Sequence, residues 1–136
     1  MDRPYSKALK CLQGAGLRPT RQRLALAKLL FDGDNRHVTA EVLHNEVNGT
    51  GAKVSLATIY NTLHQFTEAG LLKEVIVDSN CTYFDTNTSD HHHLYFAQDE
   101  HLHDLSSDEL IISKLPNIPS GKKISAVNVV VHVEDQ

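Results

Sequence analysis

Thiols are almost absent from this chain. Its 136 residues hold two cysteines, Cys11 and Cys81, far apart and in no CxxC pair. That excludes a disulfide scaffold and argues against a thiolate zinc site. No run approaches the roughly 18 to 20 apolar residues that cross a bilayer, so no membrane partner is expected. The opening Met1-Asp2-Arg3-Pro4 lacks the apolar stretch of a leader, and the expected location is the cytoplasm. No Gly-rich phosphate loop or nucleophile–base pair accompanies the histidines, so no catalytic residue is assigned and an enzyme is not expected. What remains has ordinary proportions, 40% hydrophobic and 22% charged, enough for one or two small globular domains.

Charge and histidine are unevenly spread. Residues 1–80 hold 10 Lys and Arg against 8 Asp and Glu, whereas residues 81–136 hold 3 against 9 and six of the nine histidines. A mildly basic first part and an acidic, His-rich second part suggest two jobs. The densest signal is His91-His92-His93, preceded by Asp90 and followed by the apolar run Leu94-Tyr95-Phe96-Ala97. Three adjacent imidazoles are hard to place in a core, and neutral imidazole is a good donor to a metal. On a strand, His91 and His93 would share one face with His92 on the other. Asp85, Asp99, Glu100, His101, His103 and Asp104 lie nearby in sequence.

Helical spacing fills the first 70 residues. Tyr5, Ala8, Leu9 and Leu12 form one stripe, with Gly14 and Gly16 to end it. Thr20 caps a second helix carrying Leu24, Ala27, Leu30 and Phe31. Thr39 opens a third, and Ser55 a fourth with Leu56, Ile59, Leu63 and Phe66 inward and Gly70 as its stop. Residues 72–77 and 81–85 then read as a hairpin about Asp78-Ser79-Asn80. Helices followed by a hairpin spell a winged helix-turn-helix over residues 1–86, with the fourth helix as the element that enters a major groove. Its outer face carries Ala57, Thr58, Asn61 and Gln65, with Tyr60 at the edge. Arg18, Arg21 and Arg23 are placed to neutralise phosphates. Residues 87–136 should form a small α/β domain, with a strand at 92–97, a short helix at 107–115 and a strand at 124–133. Val127, Val129, Val131 and Val133 alternate on that last strand. So small a unit needs a metal or a second copy to cover such a face, so a homodimer is expected, reading palindromic DNA. The whole is an α+β chain.

Gly16-Leu17-Arg18-Pro19-Thr20-Arg21-Gln22-Arg23, Arg36-His37-Val38-Thr39-Ala40-Glu41 and Ser55-Leu56-Ala57-Thr58-Ile59-Tyr60-Asn61-Thr62-Leu63 resemble segments of the ferric uptake regulator family. Thr82-Tyr83-Phe84-Asp85-Thr86-Asn87 followed by the His triplet looks like its iron response regulator branch. The resemblance implies a regulatory metal site of His37, Asp85, His91, His93 and Asp104, filled by Fe, Mn or Zn. It implies haem held at His91, His92 and His93, and DNA contacts from Arg18, Arg21, Ser55, Ala57, Thr58, Tyr60 and Asn61. Two family features are missing: Phe96 and Asp99 stand where a zinc-binding CxxC would be, and Ile111 replaces an acidic ligand of a second site. Cys11 is followed by Leu12 where some branch members carry a Cys-Pro haem motif. The function implied is a homodimeric regulator of double-stranded operator DNA whose affinity haem lowers. The alternative is a repressor of the same family that answers a divalent ion and does not sense haem.

Overall fold

The computed structural model describes residues 4–136, so the N-terminal tripeptide used above in judging a leader lies outside it. The chain divides into two compact units, Met1–Thr88 and Ser89–Gln136. Among the described residues no helix is long and apolar enough to cross a membrane.

In the first unit, α1 (Ser6–Gly14), α2 (Arg21–Phe31), α3 (Ala40–Gly49) and α4 (Leu56–Glu68) surround one core. Leu12, Leu26, Leu30, Leu43, Val47, Ile59, Leu63 and Phe66 are all buried there, with Phe84 closing it from the sheet side. Side chains of this size contribute about 1.5–3 kcal/mol each on burial, so the helical stripes are where most of the unit's stability originates. Side-chain caps set the starts of three helices: the oxygens of Thr20, Thr39 and Ser55 accept from the backbone N–H of Arg23, Val42 and Thr58. Two glycines set the ends. Gly16 and Gly70 have φ of 74° and 83°, and the residue after each donates back, Leu17 to Leu12 and Leu71 to Phe66, both at 2.9 Å. A Cβ would resist that left-handed turn.

The hairpin of β2 (Lys73–Asp78) and β3 (Cys81–Asp85) gains a short third strand, β1 (His37–Val38), which pairs with β3 and was not foreseen. Its register sets His37 opposite Asp85 and Val38 opposite Phe84. Arg36, just before it, is fixed on two sides. Its guanidinium donates to both carboxylate oxygens of Glu46 on α3, at 2.9 and 2.6 Å, and to the carbonyl of Leu29. Its backbone N–H donates to Thr86 Oγ1, while the N–H of Thr86 donates to its carbonyl. The Glu46 hydrogen bond raises the arginine's pKa against the opposing effect of burial.

The second unit is a three-stranded sheet in the order β5-β4-β6, from β4 (His92–Phe96), β5 (His101–Leu105) and β6 (Val130–Val133). β5 runs antiparallel and β6 parallel to β4. Two expectations for this unit are corrected. Residues 107–115 form a turn and then extended chain, not a helix. The start signal is made, since Ser106 N–H donates to Glu109 Oε1 at 2.9 Å, but Ile111 beyond it is 80% exposed. A helix with no buried face does not repay its nucleation, and Pro116 and Pro119 stop it downstream. The unit as described is therefore all sheet and loop rather than α/β. The last strand is also shorter than residues 124–133, because β4 offers partners only from His93↔Val130 to Phe96↔Val133.

The bidentate Arg36–Glu46 pair is about two-thirds buried on each side, between the regimes of exposed and buried ion pairs. Glu46→Ala should lower the stability of the first unit by about 1–2 kcal/mol, seen as a fall of about 4–8 °C in its melting midpoint per kcal/mol. An unchanged midpoint would show that the pair does not hold β1.

Candidate metal centre and nucleic-acid interface

His93 opens the register of β4 opposite Asp104 on β5, which puts both side chains on one face of the sheet. His91 precedes the strand, yet its ring lies 4.5 Å from that of His93, centroid to centroid. Both Nε2 atoms stand 3.2 Å from one oxygen, Asp104 Oδ1, and ligand atoms of the three residues all lie within 4.8 Å of one another. Ser89 carbonyl, 2.7 Å from His91 Nδ1, can only accept, so Nδ1 carries a proton and Nε2 is the atom turned to the carboxylate. Such an arrangement can hold a cation between nitrogen and oxygen, and a carbonyl behind the imidazole is the usual way a ligand histidine is oriented. Donors about 2.0–2.1 Å from a tetrahedral ion stand about 3.3 Å apart, so the observed spacing fits an ion without rearrangement. His93 is buried and Asp104 half-exposed.

His92 faces elsewhere. Its Nδ1 accepts the N–H of Val129 at 3.2 Å, which leaves the ring proton on Nε2. Beside His91 and His92 is a cavity of about 300 Å³ of mixed lining, with Leu105, Leu110 and Val127 alongside Asp90, Ser106 and Ser107.

The other two expected ligands, His37 and Asp85, belong to the first unit and are register partners there. His37 packs edge-on against Tyr83 at 5.9 Å. Asp85 is buried, and one of its oxygens accepts the N–H of Asn87 at 2.9 Å.

On α4 the side chains divide as their spacing requires. Ile59, Leu63 and Phe66 are buried, Ala57 and Asn61 exposed, Thr58 and Tyr60 between. Ser55 is occupied locally: its Oγ caps Thr58 N–H and donates to Thr58 Oγ1 at 3.0 Å. Arg18 and Arg21 are exposed at the approach to α2. A cleft of about 390 Å³ opens between that approach and α4, with Arg18, Arg23, Thr58, Asn61 and Gln65 on its walls. Arg23 is held inside it, donating to Arg18 carbonyl at 2.9 Å and to Gln65 Oε1 at 3.0 Å. It therefore orients Gln65 as well as adding charge.

One residue of this surface escaped the reading of the sequence. Glu41, in the first turn of α3, accepts the Tyr60 hydroxyl at 2.7 Å. The Tyr60 ring is backed by His64, stacked at 6.5 Å, which itself stands edge-on against Phe84. No local pattern announces a partner 19 positions away; only the packing of α3 against α4 brings it there.

Residues 14–132 match the Ferric uptake regulator family. The chain is 32% identical over 94 residues, 69% of its length and 62% of the relative's, to the peroxide-responsive repressor PerR of Staphylococcus epidermidis. It is 38% identical over 82 residues, 60% of its length and 55% of the relative's, to the ferric uptake regulation protein of Shigella flexneri. The chain thus aligns with about three-fifths of the length of these curated relatives. Among solved structures, the ferric uptake regulator from Pseudomonas aeruginosa with manganese shares the fold, with a TM-score of 0.71 at 24% identity over 95% of this chain and 98% of that one.

The hydrogen bond to Glu41 is the main reason that the Tyr60 phenol is raised above its ordinary pKa of 10.0. Because the bond needs the phenol proton, its contribution is complete below pH 10 and is lost as pH rises through the raised value. Ultraviolet titration of parent against Tyr60→Phe isolates this phenol among the four tyrosines. Its midpoint should lie above 10 in the parent and fall in Glu41→Ala; equal midpoints in the two would contradict the contact.

Proposed function

The chain belongs to the ferric uptake regulator family, and on that premise we propose that it is a metal-responsive transcription regulator. Members of this family are transcription regulators, not enzymes. In this reading the first unit is a winged helix-turn-helix domain, α4 lies in the major groove, and Ser89–Gln136 supplies the homodimer contact and the sensor. The observation that carries it is the convergence of His91 and His93 Nε2 on Asp104 Oδ1. Two imidazoles and a carboxylate suit Fe(II), Mn(II) or Zn(II), and manganese in the Pseudomonas aeruginosa structure supports an ion of that class.

His37 and Asp85 complete the proposed ligand set. They leave the first unit from adjacent strands, so an ion taking ligands from both units would couple metal occupancy to the orientation of α4. The ion supplies charge neutralisation and a rigid joint. The chain supplies the carbonyl of Ser89 that orients His91 and the Arg36 clamp that fixes the strand of His37. At the DNA, Arg18 and Arg21 meet phosphates, while Ala57, Thr58, Tyr60 and Asn61 meet base edges and Ser55 holds the helix start. Val131 and Val133, on β6 at the edge of the sheet away from β5, give the apolar face for a second copy. Sedimentation of the parent as a monomer would remove the homodimer.

The His triplet extends the proposal to the iron response regulator branch, with haem lowering DNA affinity. The cavity beside His91 and His92, lined in part by Leu105, Leu110 and Val127, supports this second reading. His91 or His93 would hold the haem iron, because the Nδ1 lone pair of His92 is engaged by Val129.

Operator titration with Mn(II), with chelator and with haem separates the readings. His93→Ala and Asp104→Ala should lose metal-dependent affinity by at least about tenfold, and His37→Ala and Asp85→Ala should follow them. Asn61→Ala should cost about 1–3 kcal/mol at its matching base, whereas Arg21→Ala should weaken all sequences and flatten the salt dependence. Haem release of DNA and a Soret band that both vanish when the three histidines are replaced would support the branch. Metal-independent binding by the parent would overturn the sensor.

A further inference from the structure

The proposed function leaves His101 and His103 unused. β5 alternates cleanly: Leu102 and Asp104 face the side of His93, opposite Tyr95 and His93 in register, so His101 and His103 look out from the other side of the sheet. Their rings are 4.1 Å apart, centroid to centroid, and nearly perpendicular. They are closer together than His91 and His93, which have the same one-residue spacing and lie 4.5 Å apart.

We propose that His101 and His103 form a second, separate metal site, for a nitrogen-preferring divalent ion such as Cu(II), Ni(II) or Zn(II). Three observations carry this. Both side chains are exposed, and their described contacts are with aromatic rings alone, so no hydrogen bond or ion pair within the described residues occupies their nitrogens. Each neutral imidazole therefore keeps a ring-nitrogen lone pair for an ion. Phe96, the register partner of His101, packs edge-on against His103 at 5.2 Å, which restricts that ring and lowers the entropy lost on ligation. The donor set differs from that of the first site, because the carboxylate of Asp104 lies on the opposite face. Two imidazoles without a carboxylate select by the Irving–Williams order toward copper, with nickel and zinc below it, and discriminate against manganese. Water fills the remaining positions. The chain would then hold two sites of different ion preference on the two faces of one small sheet, the second independent of whether the first controls DNA binding.

Copper titration followed by electron paramagnetic resonance tests this on the full chain. In His91→Ala/His93→Ala, a Cu(II) ion with nitrogen hyperfine structure from two imidazoles should still bind. In His101→Ala/His103→Ala that ion should be lost, while Mn(II) binding remains at the parent level. Because both residues are exposed, circular dichroism should match the parent, and His101→Gln/His103→Gln gives the same comparison should the alanine pair fail to fold. Unchanged copper stoichiometry and hyperfine pattern in either His101/His103 variant would overturn the site. So would equal loss of Mn(II), which would make the pair part of the first site.

Discussion

Two imidazole nitrogens, from His91 and His93, face a single carboxylate oxygen of Asp104 at 3.2 Å, and for His91 the Ser89 carbonyl fixes which nitrogen carries the proton. A cation between these atoms would be held by all three side chains at once. Much of the second unit follows from that constraint. Antiparallel pairing of β4 and β5 places His93 opposite Asp104, and Val129, just before β6, donates its N–H to His92 Nδ1. The long segment of residues 106–129 adds neither helix nor strand, so a three-stranded sheet carries the whole arrangement. A unit this small gains much from an ion, because its own core is slight.

The first unit is built the other way, around apolar burial, with polar contacts used for position. Arg36 anchors the two-residue strand of His37 to α3 through Glu46. Glu41 and His64 hold Tyr60 from two directions, and Arg23 holds Gln65. On α4 the residues proposed to meet bases therefore stand on a braced surface, which reduces the ordering cost of association. The ion chemistry and the helix surface are linked in sequence by β3, whose last residue, Asp85, is the register partner of His37.

Local chemistry was legible in the sequence wherever a few neighbouring residues decide the outcome. Thr20, Thr39 and Ser55 read as caps because their side chains need reach only three residues on, and Gly16 and Gly70 read as stops because the backbone there requires positive φ. The hairpin about Asp78-Ser79-Asn80 was legible for the same reason. β1 was not, being two residues long and defined only by its partner. β5 was also missed, since Leu102 and Leu105 are buried on opposite faces and spoil the alternation. The helix expected at 107–115 had the right start signal and lacked a surface to pack on. At the candidate metal centre, strand alternation nominated His91 and His93 and the family resemblance added Asp104, while the roles of Ser89 and Val129 depend on a carbonyl and an N–H that no residue letter reveals.

The account turns on whether His91, His93 and Asp104 bind one ion together. X-ray absorption at the zinc edge of the Zn(II)-loaded chain addresses that directly, with His101→Ala/His103→Ala as background so that only the first site is filled. The account predicts a shell of nitrogen and oxygen with multiple-scattering features of two or more imidazoles and no sulfur, and a loss of ordered zinc in Asp104→Ala. Sulfur from Cys11 or Cys81 in the shell, or an unchanged imidazole signal in Asp104→Ala, would contradict it.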